Sequence, residues 1–537
     1  MKAIRLQHFR SLSDTGFVDL RPLTVLVGKN SSGKSSFLRF LPLIRQSVQA
    51  LTAGPIQWYG DYVDFGGFEE TLSSDSDDRE IRCAFQFTLD PARPLTRIRD
   101  RRGGYRMHHL QLELATPLLC SITLAIGPDR KDSAVARLRS VSIEAAKHVV
   151  DIHIDNRFRL SRIVINGRQA FQDAYDQFVL IPGTLLPSIH RQHDKATASR
   201  RSFRYRFRRH LLALPELVHA IRPLFHGNTV DETVFTAAER IRFGTDDEIL
   251  LSLRNLGVPG TTWPESVDRL HLSSLKFKEI RNLVVANHLD AIVRELDMQM
   301  LAFVSGVRYV KPVRATAERY YRPQDLAVAE IDAEGRNLAS FLYSLTDAER
   351  RDFEAWMTEE LRWGIVTRLR GGHLSVRICE LDLNGPRQEE SSVPDYNLAD
   401  VGFGFSQILP IVVQLWSMQR KEGRGRGQEN DQLIFAIEQP ELHLHPGLQR
   451  RLTDVLIRSI ASARRHGVDL TIMIETHSET IVNRIGEQIA DGQMAREDAA
   501  VVLFDRSGSA GRSNVTKATF DADGFLENWP YGFFQTE

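Results

Sequence analysis

The sequence predicts an α/β fold: a mixed sheet that carries a phosphate-binding loop, an antiparallel β-subdomain beside it, and a compact, mainly helical insert. Three observations lead there. The loop Gly28-Lys29-Asn30-Ser31-Ser32-Gly33-Lys34-Ser35-Ser36 stands between an apolar run (Leu23, Val25, Leu26, Val27) and a helical pattern (Phe37, Leu38, Phe40, Leu41). Much later, Leu433-Ile434-Phe435-Ala436-Ile437 is a continuous apolar run with polar flanks, which reads as a strand buried on both faces. Between these, Ile81, Cys83, Phe85, Phe87 and Leu89 alternate at strand period, and Leu110, Leu112 and Leu114 do the same.

Taken in order, the chain divides into 1–130, an N-terminal lobe with the loop and the β-subdomain; 131–300, an insert with strands first and helices after; and 301–537, a C-terminal lobe. Strand-like patches run through 140–168. From about 170 the period lengthens, with Leu211, Leu212, Leu214, Leu217 and Val218, then Ile280, Leu283, Val284, Leu289, Ile292 and Val293 at helical spacing. No heptad persists, so the insert reads as a compact domain and not as a coiled-coil arm. Helices are expected over 340–363, strands over 364–390, and an amphipathic helix over 447–466.

The loop fits G-x-x-x-x-G-K-[ST] in the strand–loop–helix context that its chemistry requires. Gly28 and Gly33 let backbone N–H groups curl around a triphosphate, Lys34 sets a point charge on the β- and γ-phosphates, and the Ser35 hydroxyl suits Mg²⁺. Glu438 follows the 433–437 run, at the strand end where α/β sheets collect ligands, and is a candidate for the metal. Gln439 stands next, and an amide accepts a proton poorly. Either Glu441 activates the attacking water, or Gln439 only orients it and turnover is slow.

Two further segments complete the set. Asp400-Val401-Gly402-Phe403-Gly404-Phe405-Ser406-Gln407 precedes an apolar helix and makes a second anion site from Gly404 and Ser406. One triphosphate needs one such site, so a head-to-tail dimer is expected, with Gly404 and Ser406 of one copy on the γ-phosphate held by the other. Leu470-Thr471-Ile472-Met473-Ile474 reads as a strand that ends in Glu475-Thr476-His477-Ser478, where His477 is a candidate γ-phosphate sensor. Gln46, Gln49 and Gln57 all stand in range for a magnesium-sensing glutamine; Gln57, outside the helix after the loop, is preferred.

In this order the motifs resemble the ABC-type ATPases of the SMC/RecF and overcoming-lysogenization-defect group. Within it the chain is similar to ATPases with a short C-terminal domain of unknown function, here Gly524–Phe534, and shares the look of Tyr62–Glu69 and Arg308–Arg314. The resemblance covers about residues 1–90 and 300–537. It implies an ABC-type head that uses ATP and Mg²⁺, dimerises on ATP, and serves a DNA-related or anti-phage defence role. A separate effector protein is the implied partner, a nuclease among the candidates. The alternative is a self-sufficient nuclease of the same group, disfavoured because little chain follows Ser478 for a second metal domain. The second anion site lacks the transporter spelling LSGGQ, so its role there follows from position.

Composition fits a cytoplasmic protein. Of 537 residues 42% are hydrophobic and 26% charged, an ordinary globular balance. No apolar run is long enough to span a membrane, and Met1–Leu6 opens as a strand instead of a signal peptide. Cys83, Cys120 and Cys379 are scattered and make neither a zinc site nor a disulfide framework. The formal net charge is zero, but arginines cluster at Arg93–Arg106, and at Arg200–Arg209 they interleave with Phe203, Tyr205 and Phe207. Such segments suit contact with nucleic acid, or a solvated face balanced by acids elsewhere.

Overall fold

The computed structural model describes residues 1–50, 54–89, 117–129, 135–171, 175–191, 211–322, 328, 330–380, 395–419, 432–506 and 513–529. Arg93–Arg106, Arg200–Arg209 and the end of the C-terminal segment lie outside them. Two compact units form, each discontinuous in sequence. The first holds Met1–Phe9, Ser47–Trp58 and Phe65–Ala302; the second holds Arg10–Gln46, Tyr59–Asp64 and Phe303–Glu537.

The first unit contains an antiparallel meander in which Ala3–Phe9, Ile81–Leu89, Leu118–Pro128, Ala136–Ala145, His148–Ile154, Leu160–Ile165 and Arg168–Ala170 pair in succession. Alternation decides its faces: along Ile81–Leu89 the odd positions are all buried. Two hairpins close on two-residue turns in the left-handed region, Ala146-Lys147 (φ 52° and 65°) and Asn166-Gly167 (φ 50° and 76°), the geometry that matches strand twist. Short strands at Phe178–Ile181 and Ser188–Arg191 precede the helices Leu214–Ile221, Asp231–Arg240, Asp246–Arg254, Thr262–Asp268 and Leu275–Ser305. Leu217, Ile221, Val234, Leu253, Trp263 and Ile280 share one apolar core. Thr245 caps its helix reciprocally with Glu248, which removes two orphan backbone donors.

The second unit is built on a mixed sheet whose spatial order is Val307–Val310, Gln432–Glu438, Asp469–Glu475, Leu23–Gly28, Ala499–Asp505, Asn514–Phe520 and Leu526–Glu527. The first five run parallel; Asn514–Phe520 is antiparallel to Ala499–Asp505. The α/β class expected from the sequence is the one observed. Gln432–Glu438 and Asp469–Glu475 are buried from their second residues onward, as strands covered on both faces must be. The helix Phe403–Gln419 is almost wholly buried and packs Ile408, Ile411, Val412 and Leu415 into the same core. Among the described residues no helix is long and apolar enough to cross a membrane.

Candidate nucleotide site

The loop strand Leu23–Gly28 sits between Asp469–Glu475 and Ala499–Asp505, so the loop leaves from the middle of the parallel edge. Its glycines are required by space. A Cβ on Gly28 would lie 2.2 Å from the Phe504 carbonyl oxygen, and Gly33 has φ 97° with the Leu12 side chain 2.6 Å from where its Cβ would be. Gly33 also accepts from the Phe37 N–H, which starts the helix Lys34–Gln49. Lys29 and Asn30 are exposed, whereas Ser32 and Lys34 are buried. Lys34 Nζ donates to the Gly28 and Lys29 carbonyls at 2.9 and 2.8 Å and so folds over its own loop. Burial lowers the Lys34 pKa against the pull of Glu475 and Glu441. Ser32 Oγ is buried with no partner.

Three carboxylates gather at this edge. Glu438 and Glu475 are register partners in the parallel pair, so both emerge at the C-terminal end. Glu438 is closed off: Oε1 accepts from Arg39 Nε at 2.7 Å and from Tyr309 Oη at 2.5 Å, and Oε2 accepts from Arg39 Nη2 at 2.7 Å. That pairing raises the Arg39 pKa, while burial and then Glu438 raise that of Tyr309. Glu475 is open: Oε1 accepts from the Ser35 hydroxyl at 2.8 Å, Lys34 Nζ stands 4.0 Å away, and Oε2 is buried with no partner. Burial, then the Glu438 charge, bring the Glu475 pKa up to about 7.

Glu441 lies just beyond. Its Oε1 accepts from the His477 N–H at 2.7 Å, and its Oε2 is sealed from solvent without a partner. Burial raises its pKa. Gln439, half-buried and at φ 41°, donates its N–H to the Glu475 carbonyl at 2.8 Å. The ring of His477 is exposed, and partial burial followed by the Lys34 charge lowers its pKa. Arg314 is 2% exposed, donates from Nη2 to the Glu438 carbonyl at 2.9 Å, and leaves Nε and Nη1 unpartnered; burial brings it down to about 10.

The other expected residues are placed as follows. Gly402 and Phe403 are exposed at the head of their helix, and the Phe403 ring packs edge-on to that of His443 at 4.8 Å. Gly404 lies against the His443 carbonyl, 2.9 Å from where a Cβ would sit. Ser406 is buried and donates to the Phe403 carbonyl at 2.7 Å. Gln57 is half-buried in the first unit, and its backbone N–H donates to Ser47 Oγ. The Gln46 amide accepts from Tyr62 and Val63 and donates to the Val63 carbonyl. Among the described residues no group of three or more His, Cys, Asp or Glu is gathered for a metal.

Sequence reasoning left out Arg39, Tyr309, Arg314 and Glu475. Two of them carried a readable signal. Glu475 ends an apolar strand just as Glu438 does, and Arg39 stands four residues after Ser35, on the same face of its helix.

A glycine loop on the central strand of a mixed sheet, with acids ending the next two parallel strands on one side, is the arrangement of a P-loop nucleotide-binding protein. The family model of the AAA ATPase domain matches residues 1–144 and 347–482, just over half of the chain, and the chain belongs to that family. No curated protein matches it. Among solved structures it is similar to the Smc head domain with an extended coiled coil bound to the C-terminal domain of ScpA, from Pyrococcus furiosus, at 10% identity, 96% coverage of both chains and a TM-score of 0.32. It is also similar to the Smc head bound to the C-terminal winged-helix domain of ScpA (9%, 96% of this chain and 97% of that, 0.33) and to the SMC head domain from Thermotoga maritima (9%, 96% and 97%, 0.30).

Proposed function

We propose that this chain is an ABC-type ATPase that binds ATP with Mg²⁺, hydrolyses it slowly, dimerises around it, and regulates a separate partner protein in a DNA-related or anti-phage defence setting. The observation that supports this most is the convergence of the Lys34–Ser35 loop end with Glu475 and Glu441, each carboxylate holding one buried oxygen without a partner. Buried polar atoms are normally satisfied, and orphans at a strand edge point to a ligand.

In this reading the loop N–H groups from Gly28 to Ser35, with Ser36 behind them, cradle the triphosphate. Lys34 leaves its two carbonyl partners for the β- and γ-phosphates. Ser35 and a strand-end carboxylate, Glu438 or Glu475, would hold Mg²⁺, which would supply charge neutralisation of the triphosphate. Gln57 stays the proposed magnesium-sensing glutamine on its sequence position alone; the Gln46 amide is held by the Tyr62–Val63 backbone. Glu441 takes the proton of the attacking water: its raised pKa makes it a stronger base than an ordinary carboxylate, and Oε2 is free to accept. Gln439 shapes the turn and orients the water. His477 senses the γ-phosphate, neutral and donating. In the partner copy the N-terminus of the helix Phe403–Gln419, with Gly404 and Ser406, faces that phosphate.

Nucleotide binding and phosphate release test the reading together. Lys34→Ala should abolish ATP binding, and Glu441→Gln should keep binding while lowering kcat by roughly 10²–10⁴. Undiminished turnover in Lys34→Ala sinks the ATPase reading; undiminished turnover in Glu441→Gln with faster turnover in Gln439→Glu removes only the base. For assembly, light scattering should show ATP with Mg²⁺ raising the mass of the wild type and not of Phe403→Glu, which alters the exposed helix head. An equal mass in all four conditions contradicts ATP-driven dimerisation.

A further inference from the structure

We propose that the open edge of the strand Trp363–Arg370 takes an extended segment of another protein as an added strand, and that this segment alternates acidic with apolar residues; the inference rests on the reading of a separate partner protein and specifies its chemistry. Hydrogen-bond direction is the first argument. Trp363–Arg370 pairs with His373–Glu380, which pairs in turn with Tyr396–Asn397, so Trp363–Arg370 is the outer strand of its sheet. The hairpin closes on Gly371-Gly372, at φ 57° and 77°, a two-residue turn whose flanking pair, Arg370 and His373, exchanges both hydrogen bonds. Bonded and non-bonded pairs then alternate, which puts Leu369 with Leu374 and Thr367 with Val376 among the non-bonded. Leu374 agrees: its N–H donates to the Tyr321 carbonyl at 2.9 Å and its carbonyl accepts from the Tyr321 N–H at 2.7 Å, both on the far side. The N–H and C=O groups of Thr367 and Leu369 therefore point away from the hairpin, and they have no partner among the described residues.

Charge is the second. The whole chain balances 69 lysines and arginines against 69 acids, yet 361–379 holds Arg362, Arg368, Arg370 and Arg377 and no aspartate or glutamate. Arg368 and Arg377 share Asp395, at 2.5 and 2.9 Å, whereas Arg370 meets no carboxylate among the described residues. Val366, Arg368, Leu369 and Arg370 are exposed. Side chains alternate along a strand, so Arg368 and Arg370 line one face and Leu369 the other. A strand laid along this edge with an apolar residue opposite Leu369 sets acids opposite Arg368 and Arg370, and such cross-strand pairs stabilise.

Other occupants fit less well. A second copy paired antiparallel and centred on Leu369 would set Arg368 against Arg370, and like charges directly opposite destabilise. A phosphate backbone answers the arginines but offers no donor to the outward carbonyls. Charge on an exposed edge keeps it from pairing with its own kind, which leaves a partner of opposite charge.

The experiment follows, by fluorescence anisotropy without nucleotide, the binding of a short labelled peptide of alternating glutamate and valine to the full chain. The wild type should bind it. It should not bind the lysine and valine counterpart, nor the glutamate and valine peptide with N-methylated amides, which keeps the charge and cannot pair as a strand. Leu369→Pro removes an outward donor that the hairpin ladder does not use and should weaken binding roughly tenfold or more; Arg370→Glu should weaken it by a similar factor at low salt. Should Leu369→Pro not fold, the N-methylated peptide asks the same question of the unaltered chain. No binding by the wild type, equal binding of either control peptide, or undiminished binding in a folded Leu369→Pro or in Arg370→Glu overturns the proposal. A single-stranded oligonucleotide that displaces the peptide, or a dimer present without ATP in the wild type and absent in Leu369→Pro, overturns the choice of partner. Because the peptide is read without nucleotide, its failure leaves the ATPase reading standing, and a chain that takes the peptide yet never turns over ATP fells that reading alone.

Discussion

On the long helix of the first unit, Asp297 accepts from the Thr184, Leu185 and Leu186 N–H groups at 2.9, 2.8 and 2.9 Å, and Asp290 accepts from Ile189 N–H and pairs with Arg294. In the second unit, Glu475 at its strand end accepts from the Ser35 hydroxyl and Glu441, just past a strand end, accepts from the His477 N–H, and each leaves its other oxygen buried without a partner. Burial raises the pKa of all four, so desolvation alone does not separate them. The partners do. Asp297, answered by three backbone donors, fixes a loop against a helix, and the second oxygen of Asp290 has the Arg294 guanidinium 2.7 Å away; the second oxygens of Glu441 and Glu475 have no such pair, and the proposed ATP reading seats its ligand there.

Substitutions on either side should therefore cost different things. Glu441→Gln, the largest effect, should remove most turnover while leaving thermal stability unchanged or higher, because a neutral amide replaces a buried charge. Asp297→Ala should do the reverse. It strands three backbone donors and should cost roughly 2–4 kcal/mol of stability, with ATP affinity intact. Chemical denaturation and phosphate release on both variants read the two columns side by side. A Glu441→Gln chain that melts like Asp297→Ala would erase the distinction.

Much of this was readable beforehand, for identifiable reasons. Strands covered on both faces announce themselves as unbroken apolar runs, so Leu433–Ile437 and Leu470–Ile474 were placed from sequence. The loop was placed because glycine at Gly28 and Gly33 is forced by space, and sequence records that directly. Periodicity found the helices at Leu214–Ile221 and Leu275–Ser305 but not the short strands Phe178–Ile181 and Ser188–Arg191, which are too brief to show a period. What stayed hidden is side-chain pairing across long separations. Nothing local in the sequence says that Arg39 reaches Glu438, or that Glu475 faces Ser35, since such contacts depend on strand order, and order is a tertiary property.

Asp290 offers the finest test, because it is the structural carboxylate that comes nearest to the other kind. It is fully buried, and burial outweighs Arg294 and the Ile189 N–H to bring its pKa up to about 6 from the ordinary value of 3.8. The sign follows from proton binding. The folded state holds this proton more tightly than the unfolded chain, so its stabilising contribution is complete below about pH 4 and is lost as pH rises through about 6. At pH 7 the charged form costs on the order of 2–3 kcal/mol relative to acid conditions. Asp290→Asn keeps an oxygen for Ile189 N–H and removes the titration, so the variant should gain on the wild type by that amount between pH 4 and pH 7. Urea midpoints across that range measure it, and a difference that does not change with pH would mean Arg294 fully answers the charge, leaving Asp290 an ordinary ion pair and the contrast between the two units sharper still.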